Sequence, residues 1–397
     1  QALLVEKKDF AWGTSSRSTK LVHGGLRYLG QSQFGVTFHS VRERERLLRE
    51  GPGLVEPLGF LMAIHEGETP RRVFGAGLAI YDLFAWKLDH EYYAAGDFLM
   101  LAPHIAAEKL KGGFHYGDAL TDDARLVLRI IREAVRDTAT ALNYASAESL
   151  LIGEDGRVNG VRLRDQVTDR ATDVHSTVVI NATGAWADRL RGQVGGKPRI
   201  RPSRGSHLIF PAWRLPAAQA ITLWHHDDRR PVFVIPWEGV TLVGTTDLDH
   251  QQPLDEEPHI DADETAYLMA ALETGFPKLH LGPEDVLASF AGIRPIVGTG
   301  KADPSKESRA HVVLEEHGLI TVAGGKLTTY RLMVRDTLNA AGRVLPVLRT
   351  ADEGTPALDP VPIELAGVPS SMDSTARRRL LGRYGGDTEA LVEAARP

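Results

Sequence analysis

Cysteine is absent from the 397 residues of the chain. This excludes a disulfide framework, a zinc–thiolate site and a thiol nucleophile. Long apolar runs are also lacking, since none approaches the ~20 residues that span a bilayer as a helix, and the first residues do not form a signal peptide. An excess of positive charge is missing as well: the net charge is −6, which argues against a general nucleic-acid binder. The sequence predicts no metal site.

The composition that remains is ordinary for a globular enzyme, with 43% hydrophobic and 25% charged residues. At roughly 100–200 residues per domain, the length predicts two or three domains. Helical patterns at 15–29, Thr37–Glu50 and Asp122–Ala141 follow a strand at Ala2–Glu6. β-rich segments interrupt this alternation from Ser149 onward. The order predicts an α/β nucleotide-binding domain with an inserted antiparallel sheet domain.

Glu6 ends the first predicted strand. In a dinucleotide-binding βαβ unit, an acidic residue at the end of the second strand accepts hydrogen bonds from the adenosine ribose, and a G-x-G-x-x-G turn lies about 20 residues upstream. That turn is not in this sequence, which starts at Gln1 directly on an apolar strand. We therefore expect a chain that is truncated at its N-terminus. The alternative is an ordinary buried strand that ends in a solvated acid.

The next segment, GTSSRSTKLVHGGLRYL from Gly13 to Leu29, combines hydroxyls, cations and glycines. Hydroxyls and free N–H groups at the start of a helix can hold a pyrophosphate or a ribityl chain. Lys20, His23 and Arg27 are three and four residues apart, so on a helix they would share one face. The Gly24–Gly25 pair would let a planar ring approach the backbone. A capped helix with an exposed basic stripe is the alternative.

The string STKLVHGGLRYL, which begins at Ser18, resembles the signature of the FAD-dependent glycerol-3-phosphate dehydrogenases. Further motifs similar to that family follow in order: NATGAWAD at Asn181–Asp188, RPSRGSHLIF at Arg201–Phe210, IPWEGVTLVGTTD at Ile235–Asp247, FAGIRPIV at Phe290–Val297, DPSKESRAHVV at Asp303–Val313 and AGGKLTTYRLM at Ala323–Met333. The matches span roughly residues 2–340. The departures are Ala185, where the family has proline, the missing glycine turn and the missing bulk of a C-terminal helical domain.

The resemblance implies an α/β fold in which an incomplete Rossmann-like FAD-binding domain is interleaved with an antiparallel-sheet substrate domain. We expect the FAD-binding domain over 1–65, 121–200 and 287–345, and the substrate domain over 66–120 and 201–286. A linker and the start of a C-terminal helical domain are expected over 346–397.

FAD is the cofactor that the resemblance implies. The residues expected to bind it are Glu6, Thr14, Ser15, Ser16, Lys20, Gly24, Gly184, Gly325, Lys326, Leu327 and Thr328. A physical argument supports the last four, because a strand, two glycines and a helix N-terminus form a site for negative charge, and reduced flavin is negatively charged near N1 and O2. An ordinary strand–helix turn is the alternative.

Glycerol 3-phosphate is a dianion, and arginine forks match phosphate oxygens. The cations that the resemblance supports are Arg27, Arg294, Arg309 and Lys326, with Tyr28 as a further substrate contact. His23, Arg27, Arg294 and Lys326 are the expected catalytic residues. His23 is the expected base, since the unperturbed pKa of histidine lies near the operating pH, and His207 is its rival. Each arginine could instead be a surface cation in a weak ion pair.

The expected reaction is the oxidation of sn-glycerol 3-phosphate to dihydroxyacetone phosphate, with hydride transfer from C2 to N5 of FAD and electrons passed to quinone. An oxidase that uses oxygen, an amino-acid oxidase of the same superfamily and a non-catalytic metabolite-binding fragment are the alternatives. The resemblance implies a cytoplasmic protein at the inner face of the cytoplasmic membrane, attached peripherally. A basic helix face formed by Arg125, Arg129, Arg132 and Arg136 is interpreted as solvated.

Overall fold

The structure of the protein is a computed structural model that describes residues 1–30, 33–67, 70–300, 307, 310–348, 352, 354–360 and 372–395. The helices in these ranges are α1 (Arg27–Gly30), α2 (Phe34–Glu50), α3 (Arg71–Ala85), α4 (Ala95–Leu101), α5 (Asp123–Arg136), α6 (Ala187–Gln193), α7 (Ala262–Gly275), α8 (Tyr330–Gly342), α9 (Ser374–Tyr384) and α10 (Thr388–Ala394). None of the helices in the described part of the chain combines the length and the apolar character of a membrane span.

The strands in the same ranges are β1 (Leu3–Val5), β2 (Val55–His65), β3 (Glu91–Ala94), β4 (Leu110–Thr121), β5 (Thr140–Leu142), β6 (Ala145–Ile152), β7 (Val158–Asp165), β8 (Ala171–His175), β9 (Val179–Asn181), β10 (Ile200–Pro211), β11 (Ala220–Trp224), β12 (Pro231–Trp237), β13 (Val240–Gly244), β14 (Leu248–Asp249), β15 (Ala288–Val297), β16 (His311–Glu316) and β17 (Leu319–Gly324). Short 3-10 turns lie at Thr14–Ser16, Gly184–Trp186 and Leu327–Thr329.

The largest sheet contains nine strands in the order β14-β10-β13-β12-β11-β2-β4-β3, and β15 pairs with the other edge of β10. The pairing of β11 with β2 is parallel, whereas the other pairings are antiparallel. Helices cover both faces. Phe98 of α4 and Leu268 of α7 pack into the core on one face, while Val41 of α2 and Tyr81 of α3 pack on the other. Burial on both faces explains why β2 is a nearly continuous apolar run.

Parallel strand pairs form smaller sheets beside this one. β1 pairs with β5, and β9 pairs with β17, whose other edge carries β16 in antiparallel orientation. A third small sheet, β6-β7-β8, is antiparallel. The predicted α/β class is therefore confirmed. The helix predicted at Thr37–Glu50 is confirmed as part of α2. The helix predicted at Asp122–Ala141 is confirmed as α5 up to Arg136, but its last residues are wrong, since Thr140 and Ala141 lie in β5. The Asp122 side chain caps α5 by accepting from the Arg125 N–H.

The helix predicted over 15–29 is wrong. After the turn at Thr14–Ser16 the chain runs along β4, where Leu21 forms an isolated antiparallel bridge to Leu120, and α1 is a single turn. Lys20 and Gly25 have φ angles of 62° and 76°, which a right-handed helix does not allow. The shared helix face of Lys20, His23 and Arg27 is therefore not the reason for their roles.

The prediction that the basic face of α5 is solvated is wrong for Arg129. Arg129 is buried, with its side chain 1% exposed. It donates to the Gly382 carbonyl in α9 at 2.6 Å and to the Asp359 carbonyl at 2.9 Å, and it pairs with Glu133. Arg132 pairs with Asp387 at 2.7 Å. This face of α5 therefore holds the C-terminal helices against the rest of the protein.

Candidate active site

The Thr14–Lys20 segment is fixed by a buried acid of α5. Lys20 Nζ lies 2.7 Å from Asp123 Oδ1 and also donates to the Ser16 carbonyl at 2.6 Å. Ser18 Oγ donates to Asp123 Oδ2 at 2.6 Å. Because Lys20 and Asp123 are both buried, the ion pair is poorly screened by water and anchors the turn. A direct contact of Lys20 with a cofactor stays a prediction.

His23 lies where the N-terminal and C-terminal motifs meet. The His23 carbonyl accepts from Thr328 Oγ1 at 3.2 Å, and the Gly24 N–H donates to Asp118 Oδ1 at 3.1 Å. A Cβ added to Gly24 would lie 2.3 Å from the Tyr81 hydroxyl oxygen. The structure therefore explains Gly24 by close packing against α3, and its approach to a cofactor stays a prediction.

Lys326 and Tyr28 pack against each other beside this segment. Lys326 Nζ lies 3.8 Å from the centre of the Tyr28 ring and donates to Ser40 Oγ at 3.2 Å. The Arg27 guanidinium carbon lies 5.5 Å from the same ring. Both cations are thus within the range of a cation–π contact with Tyr28, and together they make this region positively charged. The structure thus brings together the predicted residues His23, Arg27, Tyr28 and Lys326.

The electrostatics of the cluster are visible in His23. Part of its surface is accessible, yet the ring lies deep among protein atoms. Burial, followed by the charges of Lys326, Arg27 and Arg44, lowers the pKa of His23 to about 3. The imidazole is therefore neutral at neutral pH, and the region around it carries a positive potential that favours negative charge.

The glycine turn of the C-terminal motif has the shape expected for a close approach. Gly324 and Gly325 have consecutive φ angles of 76° and 77°, and a Cβ at Gly325 would lie 2.4 Å from Met333 Sδ. Leu327–Thr329 forms a 3-10 turn that leads into the 13-residue helix α8. Two left-handed residues in succession favour glycine, and the N-terminal end of α8 adds a favourable field for an anion.

Arg294 and His207 form a second group of predicted residues. Arg294 donates to Asp247 Oδ1 at 3.2 Å, to the Thr246 carbonyl at 3.2 Å and to Thr245 Oγ1 at 2.9 Å. His207 Nε2 lies 3.0 Å from Thr19 Oγ1. Burial, then the charges of Arg294 and Lys20, lowers the pKa of His207 well below its usual value. Asp247 therefore orients the Arg294 guanidinium.

The remaining predicted residues lie apart from these groups or outside the described residues. Glu6 follows β1, and its Oε1 accepts from the Lys8 N–H at 3.0 Å. Gly184 follows β9 with a φ of 59°. Ser15 is exposed in the Thr14–Ser16 turn. Arg309 lies outside the described residues, so its role in substrate binding stays a prediction.

A small pocket beside Thr14 was not predicted. Trp12 and Trp186 line it together with Leu254 and Pro258, the two ends of the segment 254–258. Asp255, in that segment, pairs with Lys7 at 2.7 Å and with Arg189 at 2.8 Å. The hydrogen bond from Lys7, followed by that from Arg189, lowers the pKa of Asp255 to about 2. The sequence offers no signal for this contact, because its partners lie 248 and 66 residues away.

One group of possible metal ligands lies among the described residues. The group His225, His226 and Asp227 brings three ligand atoms within 4.8 Å of one another. His225 already uses both ring nitrogens, since Nε2 lies 3.1 Å from the Tyr267 carbonyl and Nδ1 accepts from the Asp227 N–H at 3.2 Å. The hydrogen bonds of His225 account for its burial.

The family model described as FAD dependent oxidoreductase matches residues 1–331. The chain belongs to this family. Its relatives include the aerobic glycerol-3-phosphate dehydrogenase of Bacillus subtilis (strain 168), 38% identical over 357 residues, and that of Staphylococcus aureus (strain USA300), 36% identical over 349 residues. The alignments cover 85% and 86% of this chain but 63% and 62% of the relatives. The chain thus spans less than two thirds of their length.

Solved structures of flavoproteins are similar to this chain in fold. The glycerol-3-phosphate dehydrogenase from Bacillus halodurans complexed with FAD gives a TM-score of 0.77 at 31% identity, over 99% of this chain and 72% of that chain. The L-α-glycerophosphate oxidase from Mycoplasma pneumoniae with FAD bound gives a TM-score of 0.69 at 18% identity, over 91% of this chain and 92% of that chain. The second likeness shows the fold alone. The family resemblance inferred from the motifs is confirmed.

Proposed function

We propose that the protein is an FAD-dependent dehydrogenase that oxidises sn-glycerol 3-phosphate to dihydroxyacetone phosphate. The observation that carries the proposal is the contact between motifs about 300 residues apart, in which Thr328 binds the His23 carbonyl and Lys326 packs on Tyr28. The result is a positively charged cluster beside two closely packed glycine pairs, Gly24–Gly25 and Gly324–Gly325. The relatives named above support the choice of reaction.

FAD, when bound, supplies the acceptor for the hydride that leaves C2 of the substrate. The glycine turn at Gly324–Gly325 and the positive potential around His23 fit its flavin, whose reduced form carries negative charge. The residues that would hold the cofactor are Glu6, Thr14, Ser15, Ser16 and Gly184 along the nucleotide, and Gly325, Lys326, Leu327 and Thr328 at the flavin.

The substrate requires fixed cations, because its phosphate is a dianion. Arg27 and Arg294 supply planar forks that match phosphate oxygens, and Arg309 is the further candidate from the sequence. Asp247 and Thr245 hold the Arg294 guanidinium in one orientation, so little side-chain entropy is lost when an anion binds. A neutral substrate such as glycerol has no phosphate for these cations to bind.

His23 accepts the proton of the C2 hydroxyl in this mechanism. Its lowered pKa keeps the imidazole unprotonated before the substrate arrives, and a dianion beside it raises that pKa again, since negative charge favours the imidazolium form. His207 is the rival base, but its Nε2 is hydrogen-bonded to Thr19. We therefore assign the proton transfer to His23.

Anaerobic reduction of the purified flavoprotein tests the proposal. Glycerol 3-phosphate should bleach the oxidised flavin absorbance, and glycerol should not. Arg27→Ala and Arg294→Ala should each raise KM about 10- to 100-fold, through the loss of charged hydrogen bonds, whereas Arg162→Ala, in an exposed pair with Asp173, should not. His23→Gln should lower kcat about 10²- to 10⁴-fold with the flavin still bound. Equal rates with glycerol and its phosphate, or a colourless protein that ignores added FAD, would refute the proposal.

Quinone is the proposed electron acceptor, and the inner face of the cytoplasmic membrane is the proposed location. The name "dehydrogenase" of the 31–38% identical relatives supports this over an oxidase. An apolar surface at the C-terminal end of α3 supports the membrane location. Its residues Leu83, Trp86 and Leu88 are 70%, 81% and 95% exposed, and the Arg42 guanidinium carbon lies 5.4 Å from the Trp86 ring. Tryptophan and cations together are typical of a membrane interface.

Flotation with vesicles that contain anionic phospholipid tests the location. The double variant Trp86→Ser, Leu88→Ser should lose vesicle binding, while Trp213→Ser, which removes an equally exposed tryptophan elsewhere, should keep it. Turnover with a soluble quinone in air-free buffer, without peroxide formation in air, tests the acceptor. Peroxide in proportion to substrate oxidised would indicate an oxidase.

A further inference from the structure

The peptide group between His23 and Gly24 is bound on both sides. Its carbonyl oxygen accepts from Thr328 Oγ1 at 3.2 Å, and its N–H donates to Asp118 Oδ1 at 3.1 Å. A peptide group is planar, so two opposed hydrogen bonds fix its orientation. The plane includes Cα of His23, and on the other side of this residue the Val22 N–H donates to the Ala119 carbonyl at 2.9 Å. With the backbone held before and after His23, the direction of its Cα–Cβ bond is restricted, and so is the region in which the imidazole can lie.

Asp118 is itself held by two side chains from other elements. Arg44 Nη1, from α2, donates to Oδ1 at 2.9 Å, and the Tyr81 hydroxyl, from α3, donates to Oδ2 at 2.9 Å. Arg44 also donates to the Gly117 carbonyl at 2.9 Å and to Glu45 Oε1 at 2.8 Å. Both Asp118 and Arg44 are buried, so bonds to the charged carboxylate are strong.

The packing leaves the segment no room to shift. A Cβ at Gly24 would lie 2.3 Å from the Tyr81 hydroxyl oxygen and 2.4 Å from Val41 Cγ2. Gly25 has a φ of 76°, and a Cβ there would lie 2.5 Å from Tyr28 Cδ2. The hydroxyl that orients Asp118 therefore also packs closely against Gly24, whose N–H Asp118 binds.

We infer that Asp118 is a positioning residue for the reaction, acting through the His23–Gly24 peptide to aim the imidazole of His23, with Arg44 and Tyr81 keeping the carboxylate in place. The inference rests on the proposed function for the role of His23. Asp118 itself does not need to touch substrate or cofactor. Its effect should therefore appear in the rate of the chemical step and not in substrate affinity.

Three variants of the flavin-loaded protein test the inference. Asp118→Ala removes the acceptor for the Gly24 N–H, and Asp118→Asn keeps an acceptor oxygen but loses the charge. Asp82→Asn is the matched control, because Asp82 is also buried and accepts from the backbone N–H groups of Asp89 and His90, away from this peptide. The readouts are kcat and KM for glycerol 3-phosphate, flavin content, and hydrogen exchange of the Gly24 amide.

We expect Asp118→Ala to lower kcat about 10- to 100-fold and to accelerate exchange of the Gly24 amide by a similar factor, with KM changed less than about twofold. Asp118→Asn should recover part of both losses. The control should leave kcat and Gly24 exchange unchanged. If the yield of Asp118→Ala is too low, Tyr81→Phe removes one donor to the carboxylate instead. It should lower kcat and accelerate Gly24 exchange by smaller factors, again with little change in KM.

Unchanged Gly24 exchange in Asp118→Ala would overturn the inference, and so would a fall in kcat matched by the control or an increase in KM alone. The proposed function fails separately. If the wild-type protein does not reduce its flavin with glycerol 3-phosphate, the function is refuted and with it the role of Asp118 in that reaction. Gly24 exchange then still decides whether Asp118 holds the peptide.

Discussion

Acid should destabilise this protein through the protonation of His23 in the unfolded chain. In the folded state the pKa of His23 is about 3, whereas an unfolded chain has a histidine pKa of about 6.5. Between these values the unfolded state binds a proton that the folded state does not, so the stabilisation is fully present above about pH 6.5 and is lost as the pH falls. His207, whose pKa is lowered by burial first, acts in the same direction.

The magnitude follows from the two pKa values. Relative to pH 7, the contribution of His23 to the free energy of unfolding falls by about 2 kcal/mol at pH 5. Urea unfolding at the two pH values measures it. The wild-type protein should lose about 2 kcal/mol more between pH 7 and pH 5 than His23→Gln does. His226→Gln, which removes an exposed histidine, should behave as the wild type does.

Equal losses in the wild type and in His23→Gln would refute the reasoning, because they would mean that His23 titrates alike in both states. The lowered pKa of His23 also changes the pH profile expected for catalysis. A histidine with its ordinary pKa would give an acidic limb near pH 6.5. With a pKa of about 3 in the free enzyme, His23 should produce no acidic limb near pH 6.5 in the profile of kcat/KM. A limb that lies there and disappears in His23→Gln would contradict the burial argument.

Further substitutions test the packing. Gly24→Ala should destabilise the protein by about 1–3 kcal/mol through overpacking, while Gly35→Ala, at an open helical position, should raise the urea midpoint slightly. Arg129→Met should cost about 3–5 kcal/mol by breaking the buried pair with Glu133, whose other contacts include Arg136 at 3.7 Å and the Asp359 N–H at 3.0 Å. It should also expose α9 to limited proteolysis, whereas Arg132→Met, at a 64% exposed side chain, should cost less than about 1 kcal/mol. Asp255→Asn should likewise cost less than about 1 kcal/mol, and high salt should abolish the difference.

The sequence predicted which distant residues lie together better than it predicted the local backbone structure around them. His23, Arg27, Tyr28 and Lys326 meet as the family resemblance implied, because the order of the motifs carries the topology of the whole fold. The helix predicted over 15–29 is wrong because long-range contacts override the local pattern. Its capping hydroxyls and spacing are helical, but a left-handed Lys20 and the long-range bonds to Asp123 decide the backbone.

Long-range partners explain the other omissions. Asp118 and Arg44 appear in the sequence as an ordinary strand acid and a helix cation, 74 residues apart, and nothing near either residue indicates the peptide that they hold. Arg129 was assigned to a solvated face because three neighbouring arginines share its spacing. Its partners include backbone carbonyls more than 200 residues away. A pattern of side chains does not predict such contacts, because every residue has a backbone carbonyl.

The choice of those partners has a consequence for how the C-terminal helices can vary. Arg129 recognises the carbonyls of Gly382 and Asp359, groups that every amino acid supplies. Substitutions along α9 therefore leave its docking point intact as long as the backbone path is kept and small residues remain where Gly382 packs on the Pro52 carbonyl. A C-terminal segment exchanged from another family member should seat on α5 by the same contact, which makes this junction a suitable place to build chimeras.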